Sequence, residues 1–308
     1  MSVPAPLVAR VVVNPDARRT ASLPRIDLGW PWRTIVERAE SKQAATAIVR
    51  ESARLGEVVV VAGGDGSLHT VVNAIADGDD THRGTRVALL PLGTANDFAR
   101  DVGLPMDPLA AAWRIADGRA RSIDLLTVNG RRCVVGGGFG LPGSCIETVA
   151  ALRRGSPVTR QLVRLGGARV FQAAAPLHVF PTPPHIHVHV TWKTPEGVCH
   201  CWDTAVIAAF FLNQPTIGRG LLLAPGASRT DGVFELSFIR PSSSIKLLTG
   251  LHRVSLGKEA PGQVVVVRAV AARLELRTPT MVFADGEPQE TTRVIDVGVL
   301  PGALTFIS

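Results

Sequence analysis

The fold is decided by the stretch Val58-Val-Val-Val-Ala-Gly-Gly-Asp-Gly-Ser67, which continues as Leu68-His-Thr-Val-Val-Asn-Ala-Ile75. The run of valines indicates a strand buried on both faces, as in a parallel sheet. Apolar residues in the second segment recur at i, i+3, i+4 and i+7, so a helix is expected after the glycines. A glycine loop between a strand and a helix start is typical of a phosphate site, because free amides and the positive end of the helix dipole meet there.

Asp65 lies inside this loop, where its carboxylate would repel a phosphate unless a cation stood between them. Two functional interpretations stay open: Asp65 helps to hold Mg²⁺, or it contacts donor groups of a nucleotide. A tight turn with a solvent-exposed Asp65 explains the motif equally well, because short glycine motifs recur by chance. A second loop of the same kind would favour the functional interpretations.

Such a loop follows the next predicted strand, Arg86-Val-Ala-Leu-Leu90, in the segment Pro91-Leu-Gly-Thr-Ala-Asn-Asp-Phe-Ala99. It offers the hydroxyl of Thr94, the amide of Asn96 and the carboxylate of Asp97, which could share a metal ion with Asp65. Strands that alternate with helices predict a parallel sheet, whose ligands bind at the carboxyl ends of the strands. We therefore expect the two loops to lie together.

Composition limits the class of protein. With 308 residues, 46% of them hydrophobic, the chain is long enough for about two globular domains. The longest apolar run, Ala205–Leu212, is too short to cross a bilayer, and no signal peptide is expected at the N-terminus, so we expect a cytoplasmic protein. The four cysteines are expected to be reduced thiols without a structural zinc. The net charge of +7 favours anionic partners, but no basic run alternates with stacking residues, so nucleic acid is not expected.

Together, Gly63-Gly-Asp-Gly-Ser67 and the Pro91–Ala99 loop resemble the diacylglycerol kinase catalytic domain family. The resemblance is strongest to the bacterial soluble lipid kinases, which are related to sphingosine and ceramide kinases. NAD kinases and 6-phosphofructokinases share the first loop, whereas the second is far more specific to lipid kinases. The resemblance implies an ATP- and Mg²⁺-dependent kinase that transfers the γ-phosphate to the hydroxyl of diacylglycerol or a related lipid alcohol.

The resemblance also implies roles for individual residues. Asp65 and Asp97 would organise the catalytic Mg²⁺. The expected nucleotide-binding set is Asn14, Pro15, Asp16, Ala17, Arg18, Arg38, Gly63, Gly64, Asp65, Gly66, Ser67, Leu68, His69, Thr70, Gly93, Thr94 and Asn96.

Beyond residue 122 the periodicity becomes mostly strand-like, so we predict two domains. Residues 1–122 form an α/β nucleotide-binding domain with a parallel, Rossmann-like sheet. Residues 123–308 form a β-rich, sandwich-like domain, with return of the last strands to the first domain left open. Helices are predicted over residues 37–55, 107–120 and 144–175. The alternating segment His185-Ile-His-Val-His-Val190 is predicted to be a strand with its histidines on a solvent-facing row.

Two segments of the second half carry the rest of the predicted site. The Ala-Pro…Asp-Gly segment ending at Gly232 resembles the family's loop around a structural Mg²⁺, which implies ligation by Asp231 and by the main-chain oxygens of Ser228 and Val233; an ordinary hairpin turn is the alternative. The segment Val282-Phe-Ala-Asp-Gly-Glu287 matches the family's Asp-Gly-Glu motif. Glu287 is therefore the predicted catalytic base, with Asp285 beside it.

The chain departs from the family around the nucleotide. Most relatives have an Asn-Glu pair where this chain has His69 and Thr70, and Arg38 falls where they carry a nucleotide-contacting threonine. These departures favour a second hypothesis, a catalytically impaired lipid- or nucleotide-binding regulator. An NAD kinase is the third hypothesis. Retention of Asp65, Asp97 and Glu287 favours the active lipid kinase.

The predicted partners follow from that hypothesis: ATP, a lipid alcohol and transient contact with an anionic membrane surface. The arginines of residues 144–175 would face that surface, so the protein is expected to be cytoplasmic and peripherally associated with the membrane. The sequence leaves a homodimer open. The outward arginines are Arg153, Arg154, Arg160, Arg164 and Arg169.

Overall fold

The computed structural model describes residues 7–14, 28–29, 32–78, 84–156, 158–161, 170, 178–180 and 183–308. The chain divides into two units, Met1–Leu125 with Pro301–Ser308, and Leu126–Leu300. Several residues named in the sequence analysis lie outside the described ranges. For Arg153 only the backbone is described. The predicted residues outside the described ranges are Pro15, Asp16, Ala17, Arg18, Arg164 and Arg169.

Strands and helices alternate along the first unit. Its strands are β1 (Leu7–Val13), β2 (Trp32–Arg38), β3 (Val58–Gly63) and β4 (Arg86–Pro91). Its helices are α1 (Lys42–Arg54), α2 (Asp65–Ala76), α3 (Asp97–Asp101) and α4 (Pro108–Ala116). The strands pair in parallel in the order β4–β3–β1–β2.

The central position of β3 explains its sequence. It pairs with β1 on one side and β4 on the other, and each of its residues is buried. A strand enclosed on both faces selects a continuous apolar run in place of an alternating one. The end of the last strand adds to β4 in parallel, with Thr305 beside Arg86, and Phe306 packs edge-to-face on Phe98 with ring centroids 4.8 Å apart.

Three helix boundaries differ from the sequence-based expectation. Residues 37 and 38 belong to strand β2, and α1 starts only after Ser41, whose hydroxyl accepts a hydrogen bond from the Ala44 amide at 3.1 Å. Helix α4 ends at Ala116, not at residue 120, which already belongs to the next strand. Helix α2 begins inside the glycine motif, at Asp65. Helical periodicity detects the middle of a helix, whereas the ends depend on capping contacts.

The second unit is β-rich and largely antiparallel. It contains the described residues between Leu126 and Leu300, so its first and last strands are shared with the first unit. Its strands are β5 (Ala120–Val128), β6 (Arg131–Cys133), β7 (Gly136–Gly140), β8 (Ile186–Lys193), β9 (Cys199–Val206), β10 (Ala208–Leu212), β11 (Thr216–Ile217), β12 (Leu221–Leu222), β13 (Phe234–Ile239), β14 (Val264–Ala269), β15 (Ala271–Ala284) and β16 (Glu287–Ile307). Its helices are α5 (Leu141–Arg154) and α6 (Ser244–Ser255).

The pairing of these strands positions the functional turns. The order runs β14–β13–β10–β7–β15, and β15 also pairs with β16 and β8, while β8 pairs with β9. Strand β16 leaves the second unit at Leu300, so its final residues, Pro301–Ser308, belong to the first. The predicted fold class, a parallel α/β unit followed by a β-rich one, is confirmed.

One expectation for the second unit needs correction, and another is extended. Helix α5 starts at Leu141, earlier than residue 144, and its C-cap is Gly155, so the predicted helix to residue 175 is interrupted. The predicted solvent-facing histidine row is confirmed, since His185 and His187 are exposed, and His189 Nδ1 lies 2.8 Å from the exposed Asp203 Oδ1 on β9. A cross-strand partner cannot be seen in the sequence of one strand. Within the described residues, none of the helices has the length and apolarity to cross a membrane.

Candidate functional site

The two glycine loops of the first unit touch through their backbones. The Gly63 carbonyl accepts hydrogen bonds from the amides of Leu92 and Gly93, at 2.7 and 3.1 Å. A Cβ atom on Gly93 would lie 2.4 Å from the Gly64 Cα, which is closer than a carbon atom can approach. Glycine is therefore required on both sides of the contact, and the carboxyl ends of β3 and β4 form one site, as the sequence predicted.

Asp65 joins the second loop to the first. Its Oδ2 and Oδ1 accept hydrogen bonds from the backbone amides of Asp97 and Phe98, at 3.0 and 3.1 Å. These amides open the short helix α3, so the Asp65 carboxylate acts as a cap supplied by another segment of the chain. Asp65 itself is half-buried, whereas Asp97 is buried, with 5% of its surface exposed. The two predicted Mg²⁺ residues are thus neighbours, linked through the Asp97 main chain.

Asn96 presents an acceptor at the contact between the glycines. Its backbone is left-handed, with φ of 51°, and its Nδ2 donates to the carbonyls of Pro91 and Gly93, at 3.3 and 3.2 Å. The Oδ1 atom is buried without a hydrogen-bond partner in the described part of the chain. It lies 2.6 Å from the position that a Gly93 Cβ would occupy. A buried acceptor without a donor fits a site that binds a ligand with N–H or O–H groups.

Asn14 brings the end of β1 to the same edge of the sheet. Its Nδ2 donates to Ser67 Oγ at 2.7 Å, and its amide donates to the Ala62 carbonyl at 3.2 Å. Arg38 is exposed at the end of β2, in register with Val13. The predicted residues at the ends of β1 to β4 therefore share one edge.

The remaining predicted nucleotide residues belong to the first turns of α2 or to the second loop. Gly66 and Thr70 are joined by a hydrogen bond from the threonine hydroxyl to the glycine carbonyl at 3.1 Å. The His69 carbonyl accepts from Asn73 Nδ2 at 2.9 Å, and Thr94 is half-buried. Leu68 is fully buried. Its side chain packs in the core, so Leu68 can contribute only its backbone to a ligand.

In the second unit the Asp-Gly-Glu segment forms a tight hairpin between β15 and β16. Asp285 and Gly286 have positive φ angles of 49° and 77°, and Ala284 pairs with Glu287. This is the geometry that Asp-Gly favours in a two-residue hairpin turn. Glu287, the predicted base, is half-buried at the first position of β16.

The Asp285 carboxylate is enclosed by backbone donors from the segment between β6 and β7. Its Oδ1 accepts from the amides of Val134, Val135 and Gly136 at 3.1, 2.8 and 3.3 Å, and it lies 3.0 Å from Cys133 Sγ. We call residues 133–136 the amide nest. Burial, together with the Asp285 carboxylate, raises the pKa of the Cys133 thiol well above its usual value, so the thiol stays protonated. The nest fixes the hairpin from which Glu287 extends.

The predicted structural-metal loop precedes β13. Val233 donates its amide to Asp231 Oδ1 at 3.2 Å, and the hydroxyls of Ser228 and Thr230 are 3.2 Å apart. Arg268 Nη2 donates to Asp231 Oδ2 at 2.5 Å. Within the described residues, no three His, Cys, Asp or Glu side chains converge as metal ligands. A cation here would rely on Asp231 and main-chain oxygens, a donor set that suits a hard ion.

Glu235 lies beside this loop and was not anticipated from the sequence. Its side chain is 2% exposed, and both carboxylate oxygens lack a hydrogen-bond partner in the described residues. Burial, and secondarily the Asp231 carboxylate, raises the pKa of Glu235 to about 7. A buried carboxylate without a hydrogen-bond partner in the described residues is compatible with a cation at this loop.

Sequence reasoning also missed the amide nest. The only signal for it was the triplet Gly136-Gly-Gly138, which indicates close approach of backbones. A Cβ atom on Gly137 would lie 2.2 Å from the Phe283 carbonyl oxygen. Glycine in β7 therefore allows the strand to pack against β15, next to the Asp285 turn.

Comparison with known proteins agrees with this architecture. Residues 27–128 match the model of the diacylglycerol kinase catalytic domain, and residues 171–308 match the YegS C-terminal NAD kinase beta sandwich-like domain. The second match confirms the sandwich-like class predicted for the C-terminal half. The first match covers the glycine loops and most of the parallel sheet, and the second covers much of the β-rich unit.

Curated relatives and solved structures extend the match along the chain. A "Probable lipid kinase YegS-like" of Pseudomonas aeruginosa (strain UCBPP-PA14) is 34% identical over 267 residues, covering 84% of this chain and 80% of the relative. One of the same name from Xanthomonas campestris pv. campestris (strain 8004) is 33% identical over 248 residues, covering 77% and 74%. The crystal structure of a diacylglycerol kinase from Bacillus anthracis str. Sterne has a TM-score of 0.68 at 18% identity, covering 97% of this chain and 95% of that one. Another chain from that organism reaches 0.77 at 19% identity, covering 99% and 98%.

The fold and the paired loops define a kinase with a diacylglycerol kinase catalytic domain. Within that class, the chain belongs to the YegS-like lipid kinase family. The recognition made from the two glycine loops is thereby confirmed.

Proposed function

We propose that this lipid kinase transfers the γ-phosphate of ATP to the hydroxyl of diacylglycerol or a related lipid alcohol. The observation that carries the proposal is the contact between the glycine loops, in which Asp65 caps α3 and Asn96 Oδ1 is left without a donor. Glycines, helix-start amides and an orphan acceptor at one sheet edge suit a nucleotide with its phosphates.

Phosphoryl transfer needs positioning and charge neutralisation more than covalent chemistry. Asn14, Ser67 and Thr94 would contact the nucleotide, and Asp65 and Asp97 would hold Mg²⁺. When bound, Mg²⁺ supplies positive charge to the phosphate oxygens during transfer. Glu287 would accept the proton of the lipid hydroxyl. We assign Asp285 to positioning, because backbone amides surround its carboxylate.

The direct test is incubation of the purified chain with γ-labelled ATP and Mg²⁺, offering diacylglycerol, other lipid alcohols, and NAD as alternative acceptors. Label is expected in a phospholipid. Label in NAD alone would replace the proposal with an NAD kinase, and no labelled product with retained ATP binding would support the impaired regulator.

Glu287→Gln tests the base. It should lower the transfer rate about 10²–10⁴-fold, the usual contribution of one general base, while ATP binding is kept. Glu290→Gln, on the same strand and bonded to Asn129, is the matched control. Normal turnover by Glu287→Gln would remove Glu287 from the mechanism.

A lipid substrate also requires contact with a bilayer. Much of the arginine-rich segment expected to face it lies outside the described residues, and among those described we propose α6 for this contact. Residues 240–258 contain Arg240, Lys246, Arg253 and Lys258 and no acidic residue, so the segment complements anionic headgroups. Ile245 on its outer face is 72% exposed and could enter the headgroup region.

Vesicle co-sedimentation tests this surface. Lys246→Glu with Arg253→Glu should abolish binding to vesicles containing phosphatidylglycerol. Arg119→Glu with Arg121→Glu, which changes the charge equally on exposed residues of the first unit, should bind normally. Equal loss in both double variants would mean that net charge, not α6, governs binding.

A further inference from the structure

Glu235 is a buried carboxylate that no described side chain satisfies. It lies on β13, its side chain is 2% exposed, and neither oxygen has a hydrogen-bond partner in the described residues. The nearest opposite charge is Arg268 Nε, 3.6 Å from Glu235 Oε1, which is too far for a hydrogen bond. Burial of a carboxylate without partners is costly, so a ligand that satisfies it would be bound favourably.

Arg268 pairs with both carboxylates but hydrogen-bonds only Asp231. Its Nη2 atom is committed to Asp231 at 2.5 Å, although Arg268 also faces Glu235 across the strand pair. The guanidinium is 53% exposed, so much of its charge is screened by solvent. The arginine therefore neutralises Asp231, and an ionised Glu235 keeps only the longer, partly screened contact.

The adjoining loop brings a second carboxylate, Asp231, to the guanidinium that Glu235 also faces. The Asp231 carboxylate is oriented by the Val233 amide at 3.2 Å, and Val233 leads directly into β13, where Glu235 follows. Carboxylate and carbonyl oxygens on one short segment are the donors that hard divalent cations take. Within the described residues, no histidines or cysteines cluster with carboxylates into a site for a softer metal.

We propose that Glu235 is a second carboxylate ligand of the Mg²⁺ that the family resemblance assigns to Asp231. The proposal rests on the metal of the proposed function, but not on the kinase reaction. A bound divalent cation would balance the remaining charge and give the Glu235 oxygens a partner. Asp231 and Glu235 would then bind one ion together and fix the start of β13.

The experiment measures Mg²⁺ without nucleotide, so that an ion carried by ATP plays no part. Melting temperatures in EDTA and in MgCl₂, with calorimetric titration of MgCl₂, are compared for the wild type, Glu235→Gln and Asp231→Asn. Glu275→Gln is the matched control, because Glu275 is an exposed strand carboxylate that pairs with Arg273 at 3.1 Å.

The wild type and Glu275→Gln should melt higher in MgCl₂ than in EDTA. Glu235→Gln should lose this increment and bind Mg²⁺ at least about tenfold more weakly. In EDTA it should melt as high as the wild type or higher, because the substitution removes a buried carboxylate that has no hydrogen-bond partner in the described residues. A variant that is as stable as the wild type in EDTA but gains no stability from MgCl₂ has lost a ligand and has not misfolded.

Two results would overturn the proposal: unchanged Mg²⁺ affinity in Glu235→Gln, or no Mg²⁺ response in the wild type. The second result would mean that Arg268 is the only cation that pairs with Asp231, and that Glu235 is buried in its protonated form. A chain that responds to Mg²⁺ but phosphorylates no lipid would refute the proposed function and leave this inference intact. An active kinase whose melting temperature does not respond to Mg²⁺ would refute this inference and leave the proposed function intact.

Discussion

Asp65 and Asp285 each precede a glycine, and each accepts hydrogen bonds from backbone amides of another segment. Asp65 is the first residue of a helix, half-buried, with one amide on each oxygen. Asp285 occupies a hairpin turn, is 5% exposed, and receives amides from three successive residues beside the Cys133 thiol. The same dipeptide therefore starts a helix at a half-buried loop in one unit and turns a buried hairpin in the other.

This difference distinguishes carboxylates that can bind a ligand from carboxylates that only support the fold. A carboxylate enclosed by amides in the interior has little capacity left for a ligand, whereas one at a half-buried loop can still approach a metal or nucleotide. We accordingly expect Asp285 to govern stability and Asp65 to govern binding. The following substitutions test that division, beginning with the largest expected effect.

Asp285→Ala should be the most destabilising change. It leaves the amides of Val134, Val135 and Gly136 buried without an acceptor, so a loss of about 3–5 kcal/mol in the free energy of unfolding is expected. Urea denaturation measures it. Asp203→Ala, at a carboxylate that is 84% exposed, should stay within about 0.5 kcal/mol of the wild type. Similar losses in the two variants would contradict the role of the nest.

Asp65→Ala should cost less stability, about 1–2 kcal/mol, the usual range for loss of a helix cap. It should also weaken ATP binding, because the second loop loses its link to the first. Asp65→Asn keeps one acceptor oxygen and should retain more of the stability. Urea denaturation and calorimetric titration with ATP measure the two effects. A stability loss as large as that of Asp285→Ala would remove the distinction between the turns.

Asn96→Gly should cost about 1 kcal/mol, since it removes the bonds to the Pro91 and Gly93 carbonyls but tolerates the left-handed backbone. Asn96→Ala should cost about 1 kcal/mol more, because a Cβ disfavours a φ of 51°. The difference between the two variants in the free energy of unfolding, measured by urea denaturation, gives the cost of the left-handed backbone. Equal stabilities would mean that the loop relaxes out of this conformation.

The smallest effect concerns the thiols. Burial raises the pKa of Cys145 to about 11, and the pKa of Cys133 is also raised, so both remain thiols at pH 8. Their contribution to stability is full below the ordinary thiol pKa and is lost as the pH rises through the folded value. Iodoacetamide at pH 8 should therefore modify the exposed Cys199 and Cys201 only, as mass spectrometry would show.

Cys133 then serves as a probe of the nest. In Asp285→Ala the nest should open more often, and Cys133 should become reactive, while Cys145 stays protected. Protection of Cys133 in that variant would show that the nest closes without its carboxylate.

The sequence alone determined the α/β unit with its parallel sheet, the β-rich second half, and the two glycine loops that place the chain among lipid kinases. These features follow from local rules: a valine run in β3, helical spacing in α2, and glycines where backbones must approach closely. The identity of Glu287 and Asp231 as functional residues came from family resemblance, and their roles remain predictions.

Only the tertiary structure decided what each carboxylate contacts. The amides around Asp285 come from residues about 150 positions away in sequence, and the cap made by Asp65 acts on α3. The position of Glu235 opposite Arg268 depends on the register of β13 with β14. Spacing along a chain carries no information about such contacts, because burial and hydrogen bonding are set by which strands pair, so the same Asp-Gly pair could not be assigned to binding or support before the fold was known.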